Sequence, residues 1–229
     1  MKYAEAELKE ISDRFEDTDP TITLTWALKA FQPNIALASS FGVEDVALID
    51  MLVKVSDQAR VFYLDTGFLP KETHETRDRI IQRYDIQPTR YASDLSPEDL
   101  VAKFGEELWN RFPDVCCNQL KIVPLKAALQ DLQAWITGMR RDQSPTRANI
   151  GIVEWDEKFG LIKINPLAAW TWEQVWEYVR EHDVPYNPLH DQGYPSIGCI
   201  HCTSSVGSGE DPRSGRWRGS QKIECGLHK

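Results

Sequence analysis

The sequence predicts an α/β protein with a doubly wound, mainly parallel sheet. Two observations support this prediction: short apolar runs typical of buried strands lie at 35–40 and 59–67, and an amphipathic segment with acidic residues near its start lies between them at 42–55. A strand, a helix and a second strand within roughly 30 residues form a βαβ unit, whose crossover makes the two strands parallel. Repeated units give an open sheet, and ligands bind such sheets beyond the carboxyl ends of the strands.

The other elements are predicted in chain order from the same kinds of pattern. Predicted strands are 35–40, 59–67, 86–91 and a run from 134, a hairpin is predicted at 151–167, and predicted helices are 42–55, 71–84, one after Ser96 and one after Thr171. Ser96 is a favourable N-cap, and Pro97 suits the first helical position. Thr171 and Gln174 have the spacing of a capping box.

The chain is predicted to have three parts. Residues 1–30 form a helical segment, because Leu8, Ile11 and other apolar residues recur at helical spacing. Residues 31–202 form the α/β domain. Gly, Ser, Pro and charged residues dominate from 203 to 220, which favours a flexible, mobile arm at 203–229.

Composition excludes several classes of function. The chain has 229 residues and a formal charge of −9, and an acidic protein repels nucleic acid and anionic membranes at long range. We find no apolar stretch of about 18 residues, the length of a membrane span, and the charged N-terminus does not resemble a signal peptide. The sequence therefore predicts a cytoplasmic protein that binds neither nucleic acid nor membrane. It is compatible with a homo-oligomer.

The five cysteines divide into four and one. Cys116 and Cys117 are adjacent, Cys199 and Cys202 have metal-knuckle spacing, and Cys225 lies near the C-terminus. Tetrahedral zinc would hold two thiolates about 3.8 Å apart, given Zn–S bonds of about 2.3 Å, which strains an adjacent pair. A [4Fe–4S] cluster accepts ligands on separate irons. Spacing favours the cluster and leaves zinc or free thiols as alternatives.

Two groups of arginines predict an anion site in this acidic chain, since arginine suits bidentate recognition of phosphate or sulfate. The groups are Arg140, Arg141 and Arg147, and Arg213, Arg216 and Arg218. Three stretches follow predicted strands at the sheet edge: Ser39–Gly42, Asp65–Gly67 and Gly138–Arg141. Each is a weak signal alone, but together they predict a nucleotide across that edge.

These motifs also carry a family resemblance. "SSFGVED", "LDTGF", "CCNQLKIVPL", "TGMRRDQSPTR", "GCIHCT", "RSGRW" and "ECGLH" occur in this order from 39 to 228. The chain closely resembles the iron–sulfur assimilatory adenylyl-sulfate reductases of the adenylyl-sulfate (APS)/phosphoadenylyl-sulfate (PAPS) reductase family. The resemblance implies an adenine nucleotide alpha hydrolase-like fold, as in the N-type ATP pyrophosphatases.

The resemblance also implies roles for individual residues. It makes Cys225 the nucleophile. The implied [4Fe–4S] ligands are Cys116, Cys117, Cys199 and Cys202. The implied contacts to the phosphosulfate group are Lys121, Arg213, Arg216 and His228. The implied contacts to adenosine and phosphate are Ser39, Ser40, Asp65, Thr66, Gly67, Gly138, Arg140 and Arg147.

The implied reaction converts adenosine 5′-phosphosulfate to sulfite and AMP, in sulfate assimilation and cysteine biosynthesis. Cys225 attacks the sulfate sulfur and becomes S-sulfonated. With four cysteines assigned to the cluster, an external dithiol must release sulfite, and thioredoxin is the family's donor. The chain stops at 229, so the fused redox domain of the plant relatives is expected to be absent.

Three alternatives accompany this prediction. The first is a reductase of 3′-phosphoadenylyl sulfate, or an enzyme that accepts both nucleotides. The second is an ATP-dependent thiolation enzyme of the same fold, which is disfavoured because Ser-Ser-Phe at 39–41 replaces the Ser-Gly-Gly of that group. The third is a non-catalytic iron–sulfur sensor or zinc module, which would leave Cys225 and the arginine groups unexplained.

Overall fold

The computed structural model describes residues 3–220 and 222–228. Within them, six strands form one sheet in the order β3-β2-β1-β4-β6-β5. The strands are β1 (Ile35–Ser39), β2 (Val61–Asp65), β3 (Thr89–Ala92), β4 (Ala134–Ile136), β5 (Val153–Asp156) and β6 (Leu161–Ile164). The third strand begins later than the predicted 86, after Pro88, which has no backbone N–H to donate to the sheet.

The helices lie between the strands and ahead of them. In the described residues they are α1 (Glu5–Phe15), α2 (Pro20–Phe31), α3 (Val43–Val55), α4 (Lys71–Tyr84), α5 (Pro97–Phe104), α6 (Leu108–Arg111), α7 (Pro113–Cys117), α8 (Val123–Leu129) and α9 (Trp172–Glu181). A π-helical turn, Asn118–Ile122, joins α7 to α8. None of the described helices combines the length and apolar character needed to cross a membrane.

The predicted α/β class with a mainly parallel sheet is confirmed. Leu37 of the central β1 pairs with Val61 of β2 and with Ile136 of β4, both in parallel. β3 pairs in parallel with β2, and β6 pairs in parallel with β4. At the edge of the sheet, β5 and β6 form the predicted antiparallel hairpin. The chain runs outwards from β1 to one side and later returns to the other, so the topological switch point lies between β1 and β4.

Alternation along β1 directs side chains into a different apolar core on each face of the sheet. Ile35 and Leu37 belong to the larger core, which also includes buried residues of α2, α3 and α9. Ala36 belongs to a second cluster with Trp135 of β4 and Leu125 of α8. Successive residues of a strand point to opposite faces, and short apolar strands suit a sheet covered on both sides. The sheet is therefore doubly wound, as predicted.

Two of the predicted helix starts are confirmed by their caps. The hydroxyl of Ser96 accepts a hydrogen bond from Asp99 N at 3.1 Å, where α5 begins. At α9 the Thr171 hydroxyl accepts from Gln174 N at 3.3 Å, and the Gln174 side chain accepts from Thr171 N at 2.8 Å. Each cap satisfies N–H groups that the first helical turn leaves without an intrahelical partner.

The C-terminal arm is docked on the sheet domain in this structure. A β-bridge within the arm joins Thr203 to Arg216, Trp217 N donates to the carbonyl of Cys202 at 3.3 Å, and Trp217 is buried. Leu227 packs against the core cluster on the α8 face of the sheet. The predicted mobility of residues 203–229 stays a prediction.

Candidate active site

A cavity of about 470 Å³ opens at the carboxyl ends of β1, β2 and β4. Of the residues predicted to act in the site, those that line it are Ser39, Ser40, Thr66, Lys121, Gly138, Arg140, Arg147, Arg213, Arg216, Cys225 and His228. Ligands bind open α/β sheets at this edge, beside the switch point. The fold thus places the arm's cysteine in one cavity with the loops that follow the central strands.

The loop after β1 wraps around the first turn of α3. The Ser39 hydroxyl accepts a hydrogen bond from Phe41 N at 3.0 Å, while the backbone N–H and hydroxyl of Ser40 both donate to Asp45 Oδ2, at 2.6 and 2.7 Å. Phe41 has a φ of +57°, and its buried ring packs edge-on against Tyr63. The loop is therefore held by its own side chains at the N-terminus of a helix, where anions are favoured.

The loop after β4 approaches this helix closely at Gly138. A methyl group added at Gly138 would lie 2.4 Å from Asp45 Oδ1 and 2.9 Å from Glu44 Cβ, so only glycine fits without a shift. Asp45 is buried, and this burial raises the pKa of its carboxyl to about 6 even though Ser40 donates to it. Gly138 thus brings the two loops of the sheet edge into contact.

Of the three residues predicted to act in the turn after β2, two shape the turn and one lines the cavity. Asp65 accepts from Gly67 N at 3.0 Å and forms an ion pair with Arg90 at 2.7 Å, and neither Asp65 nor Gly67 lines the cavity. Gly67 has a φ of +71°, which suits a tight turn. Thr66 does line the cavity, and its hydroxyl lies 3.3 Å from the sulfur of Cys199.

Four cysteines surround a second, smaller cavity, next to the first. They are Cys116, Cys117, Cys199 and Cys202. Burial, together with the neighbouring thiolates, raises the pKa of Cys116 to about 12, and burial also raises the pKa values of Cys117 and Cys202. Across residues 3–220 and 222–228, no three His, Cys, Asp or Glu side chains have the arrangement that holds a single metal ion.

Lys121 connects the two cavities, because it lines both of them. It lies in the π-helical turn that follows Cys117. Burial lowers the pKa of Lys121, but the charge interaction with the nearby side chains of Cys199 and Cys225 outweighs this effect and raises it above its usual value. The lysine is therefore a cation between the group of four cysteines and the cavity that contains Cys225.

The arginines of the loop after β4 are engaged by carboxylates. Arg140 donates to Glu44 Oε1 from Nε at 3.0 Å and from Nη2 at 2.9 Å. Arg147 donates to both oxygens of Glu224, each at 2.9 Å. Arg141 pairs with Glu16 and does not line the cavity. Arg140 also pairs with Asp142, so each of the three clustered arginines is paired with carboxylates of its own.

The arginines of the arm differ in what they contact. Arg213 donates to Glu224 Oε2 at 3.2 Å and to the carbonyl of Ile223 at 3.1 Å. Arg216 donates to the carbonyl of Cys202 at 3.2 Å and to the hydroxyl of Ser196 at 3.1 Å. Arg213 thus supports the segment before Cys225, while Arg216 ties the arm to the loop that carries Cys202.

The residues after Cys225 hold the end of the arm on the sheet. Lys158 donates to the carbonyl of Gly226, and the ring of His228 stacks on Trp135 with centroids 5.5 Å apart. His228 Nδ1 is buried and has no hydrogen-bond partner within the described part of the chain. Burial, with nearby Arg147 and other cations, holds the pKa of His228 well below its usual value, so its imidazole is neutral.

Two carboxylates of the site, Glu44 and Glu224, were not predicted from the sequence. Each lies in a motif quoted for the resemblance, but its partner is distant in the chain: Arg140 is 96 residues from Glu44, and Arg147 is 77 residues from Glu224. Local patterns carry no signal for such pairs. Acidic residues close to the predicted anion site could have indicated them.

The fold and the site together define a nucleotide-binding α/β protein with a thiol in its ligand cavity. Residues 34–205 match the family model described as the phosphoadenosine phosphosulfate reductase domain. The chain belongs to this family, which confirms the resemblance drawn from its motifs.

Curated relatives match over nearly the whole chain. A phosphoadenosine 5′-phosphosulfate reductase of Gloeobacter violaceus is 48% identical and covers 100% of this chain and 96% of its own length. An adenosine 5′-phosphosulfate reductase of Salinibacter ruber is 44% identical, and the match covers 99% of this chain and 90% of the relative's length. Adenosine 5′-phosphosulfate reductase 1 of Bacillus subtilis is 45% identical over 94% of both chains. These relatives carry names of both substrate types.

Solved structures agree with the predicted fold. The crystal structure of a phosphoadenylyl-sulfate reductase from Candida auris, in a phosphate complex, has a TM-score of 0.79 and 28% identity, covering 90% of this chain and 99% of its own. An FMN adenylyltransferase of Candida glabrata shares the fold alone, with a TM-score of 0.59 and 14% identity over 86% of this chain and 66% of its own. The expected adenine nucleotide alpha hydrolase-like fold is thus confirmed.

Proposed function

We propose that this protein reduces adenosine 5′-phosphosulfate to sulfite and AMP, with thioredoxin as the electron donor, in assimilatory sulfate reduction. The observation that supports this most is the position of Cys225, which lines one cavity together with the Ser39–Gly42 loop and the cations Lys121 and Arg216. A nucleophile, a phosphate-type loop and cations in one cavity are what thiol attack on an activated sulfate requires. The names of the curated relatives support the same substrate class.

The first step is nucleophilic. The Cys225 thiolate attacks the sulfate sulfur, an S–S bond forms, and the bond from that sulfur to the bridging oxygen breaks. The electron pair of the broken bond leaves with AMP, and Cys225 carries an S-sulfonate. Lys121 and Arg216 are positioned to neutralise charge on the phosphosulfate. The unpartnered Nδ1 of His228 offers a further hydrogen bond to the ligand.

The second step needs a dithiol from outside the chain. A thioredoxin thiolate attacks Cys225 Sγ, sulfite leaves with the electron pair of the S–S bond, and a mixed disulfide forms. The second thiol of thioredoxin then releases Cys225 and is left in a disulfide. Two electrons thus pass from the dithiol to the sulfur that leaves as sulfite.

We also propose that Cys116, Cys117, Cys199 and Cys202 hold a [4Fe–4S] cluster. All four line one cavity, although the first two are neighbours on a helix and diverge around its axis. The Thr66 hydroxyl beside Cys199 is the kind of surrounding group that stabilises a thiolate ligand. When bound, the cluster would supply structural support and negative charge beside Lys121. Anaerobically purified protein is expected to contain about four irons and four sulfides per chain, and one zinc per chain would contradict the proposal.

The alternative substrate is 3′-phosphoadenylyl sulfate, alone or together with adenosine 5′-phosphosulfate. The name of the Gloeobacter violaceus relative favours it, because that protein matches the whole of this chain. A cytoplasmic location completes the proposal, since a thiol mechanism with thioredoxin suits a reducing compartment.

Turnover with each nucleotide tests the proposal directly. With reduced thioredoxin, wild type should release sulfite from adenosine 5′-phosphosulfate with a higher kcat/KM than from 3′-phosphoadenylyl sulfate. Without thioredoxin, it should release one AMP per site and stop, with one SO₃ group on the peptide that carries Cys225. Cys225→Ser should bind AMP like wild type and form no sulfite, because a serine hydroxyl is barely ionised near neutral pH. Sulfite formation by this variant, or an adduct on another cysteine, would refute the mechanism.

A further inference from the structure

The carboxylate of Glu224 is held from several sides immediately before the cysteine of the arm. Only 3% of Glu224 is exposed. Arg147 donates to both of its oxygens at 2.9 Å, from Nε to Oε1 and from Nη2 to Oε2. Arg213 donates to Oε2 at 3.2 Å, and the Thr146 hydroxyl donates to Oε1 at 3.2 Å. We call Glu224, Arg147 and Arg213 the arm clamp.

The arm clamp joins two distant parts of the chain. Arg147 ends a short 3₁₀ turn in the loop after β4, and only 8% of it is exposed. A bidentate arginine–carboxylate pair fixes geometry as well as distance. Because both partners are buried, opening the pair would leave a buried charge without its partner. Although burial raises the pKa of Glu224, Arg147 and Arg213 hold it below its usual value, so the carboxylate is ionised at neutral pH.

Among the polar contacts near Cys225, two others lie nearer to solvent than the arm clamp, while Trp217, Leu227 and His228 hold the arm by packing. Lys222 pairs with Asp114; the side chain of Lys222 is 4% exposed, but that of Asp114 is 87% exposed, so one partner of the pair is open to water. Lys158 donates to the carbonyl of Gly226 at an exposed position. A contact that water can replace fixes a chain segment weakly, since exposed ion pairs contribute little. Among the polar contacts of the arm, the buried arm clamp is therefore the one best placed to fix Cys225, which follows Glu224 directly.

We propose that Glu224 is a positioning residue, which anchors the arm through Arg147 and Arg213 so that Cys225 stays in the cavity. Arg147 then acts through Glu224, and its contribution is to hold the nucleophile rather than to bind the anion of the substrate. This inference rests on the proposed function where it concerns the rate of thiol attack. The docking of the arm can be measured without any substrate.

The first experiment measures the accessibility of Cys225 in the holoprotein without nucleotide. Iodoacetamide labelling is followed by mass spectrometry of the tryptic peptide 223–229, which carries this cysteine alone. Glu224→Gln and Arg147→Gln should each raise the labelling rate about tenfold, a size typical of coupled charged residues in contact. The double variant should be no faster than the faster single variant, because both changes remove the same pair.

The matched control is Glu210→Gln, in the same arm. Glu210 is also paired with an arginine, Arg218, at 3.4 Å, but the pair is exposed and Glu210 does not line the cavity. Its labelling rate should equal that of wild type. If Glu224→Gln labels at the wild-type rate, or if the effects of the two clamp variants add in the double variant, the clamp does not hold the arm.

The second experiment separates positioning from binding. Glu224→Gln should release AMP about tenfold more slowly in a single turnover with adenosine 5′-phosphosulfate, while its affinity for AMP is not weakened. Equal losses of rate and AMP affinity would assign Glu224 to the fold of the site and overturn the proposal. If wild type itself fails to turn over while the labelling results hold, the proposed function is wrong and the arm clamp stands.

Discussion

At Phe41 we predict that a glycine replacement is more stable than an alanine replacement, the reverse of the usual order of stability. Its ring is 2% exposed and its φ is +57°, a left-handed conformation that a side chain with a Cβ adopts at a cost of about 1–2 kcal/mol. Phe41→Ala loses the packing of the ring, about 3–5 kcal/mol, and keeps this backbone cost. Phe41→Gly loses the same packing and relieves the backbone cost of about 1–2 kcal/mol, but glycine costs about 0.5–1 kcal/mol in chain entropy, so its net loss is about 2–4 kcal/mol.

The glycine variant should therefore be more stable than the alanine variant by about 1 kcal/mol. Thermal unfolding of both variants measures this, since a difference of about 1 kcal/mol shifts Tm by about 2–4 °C for a chain of this size. Phe62 is the control, because it is 3% exposed and lies inside β2. There alanine should be the more stable replacement, since glycine inside a strand costs about 0.5–1 kcal/mol.

An alanine variant at least as stable as the glycine variant at position 41 would refute the argument. It would mean that the backbone at Phe41 carries no cost that glycine relieves. The comparison also bears on the site, because Phe41 stands where the ATP pyrophosphatases have glycine. The ring that stabilises this loop occupies a position where a glycine would leave the backbone open to a longer phosphate chain.

Two further predictions concern the contact between the loops after β1 and β4. Gly138→Ala should destabilise the fold by about 1–3 kcal/mol, since its methyl group would lie 2.4 Å from Asp45 Oδ1, whereas Gly207→Ala, with its nearest contact at 3.5 Å, should leave Tm unchanged. The second prediction concerns Asp45, whose pKa is raised to about 6 in the folded protein. Its protonated form therefore stabilises the fold. This contribution to the free energy of unfolding is fully present below the unfolded-state pKa of about 3.9 and is lost as pH rises through 6. Relative to Asp45→Asn, the free energy of unfolding of wild type should therefore fall by about 2–3 kcal/mol between about pH 4 and 7. A difference in unfolding free energy that stays constant across this range would contradict a raised pKa of Asp45.

Much of the fold could be predicted from the sequence because its determinants are local. Apolar runs of strand length, separated by amphipathic helices, specify βαβ units, and the units specify a parallel sheet. Ser96 and Thr171 marked helix starts correctly because a cap and its partner lie within one turn. The third strand was misplaced at its start because the predicted stretch included Pro88, which cannot donate to the sheet, and the strand begins at Thr89.

The site was predicted less completely, because its decisive contacts join distant residues. The Asp65–Gly67 turn follows a buried strand as predicted, yet Asp65 is engaged by Arg90, 25 residues away, and only Thr66 lines the cavity. A sequence pattern can place a turn at the correct edge of the sheet. It does not specify which side chains of the turn point towards the ligand.

The arginines show most clearly how sequence clustering overstates an anion site. Glu44 engages Arg140, and Glu224 engages both Arg147 and Arg213, so these three predicted cations are paired with carboxylates of the chain itself. The described hydrogen bonds of Arg216 go to neutral acceptors, two carbonyls and a hydroxyl, so no carboxylate compensates its charge there. Substrate affinity should therefore depend more on Arg216 than on Arg140 or Arg147, because paired charges attract an anion only weakly at a distance. Binding of adenosine 5′-phosphosulfate to Cys225→Ser, with Arg216→Ala or Arg140→Ala added, measures the difference, and equal losses of affinity would contradict this argument.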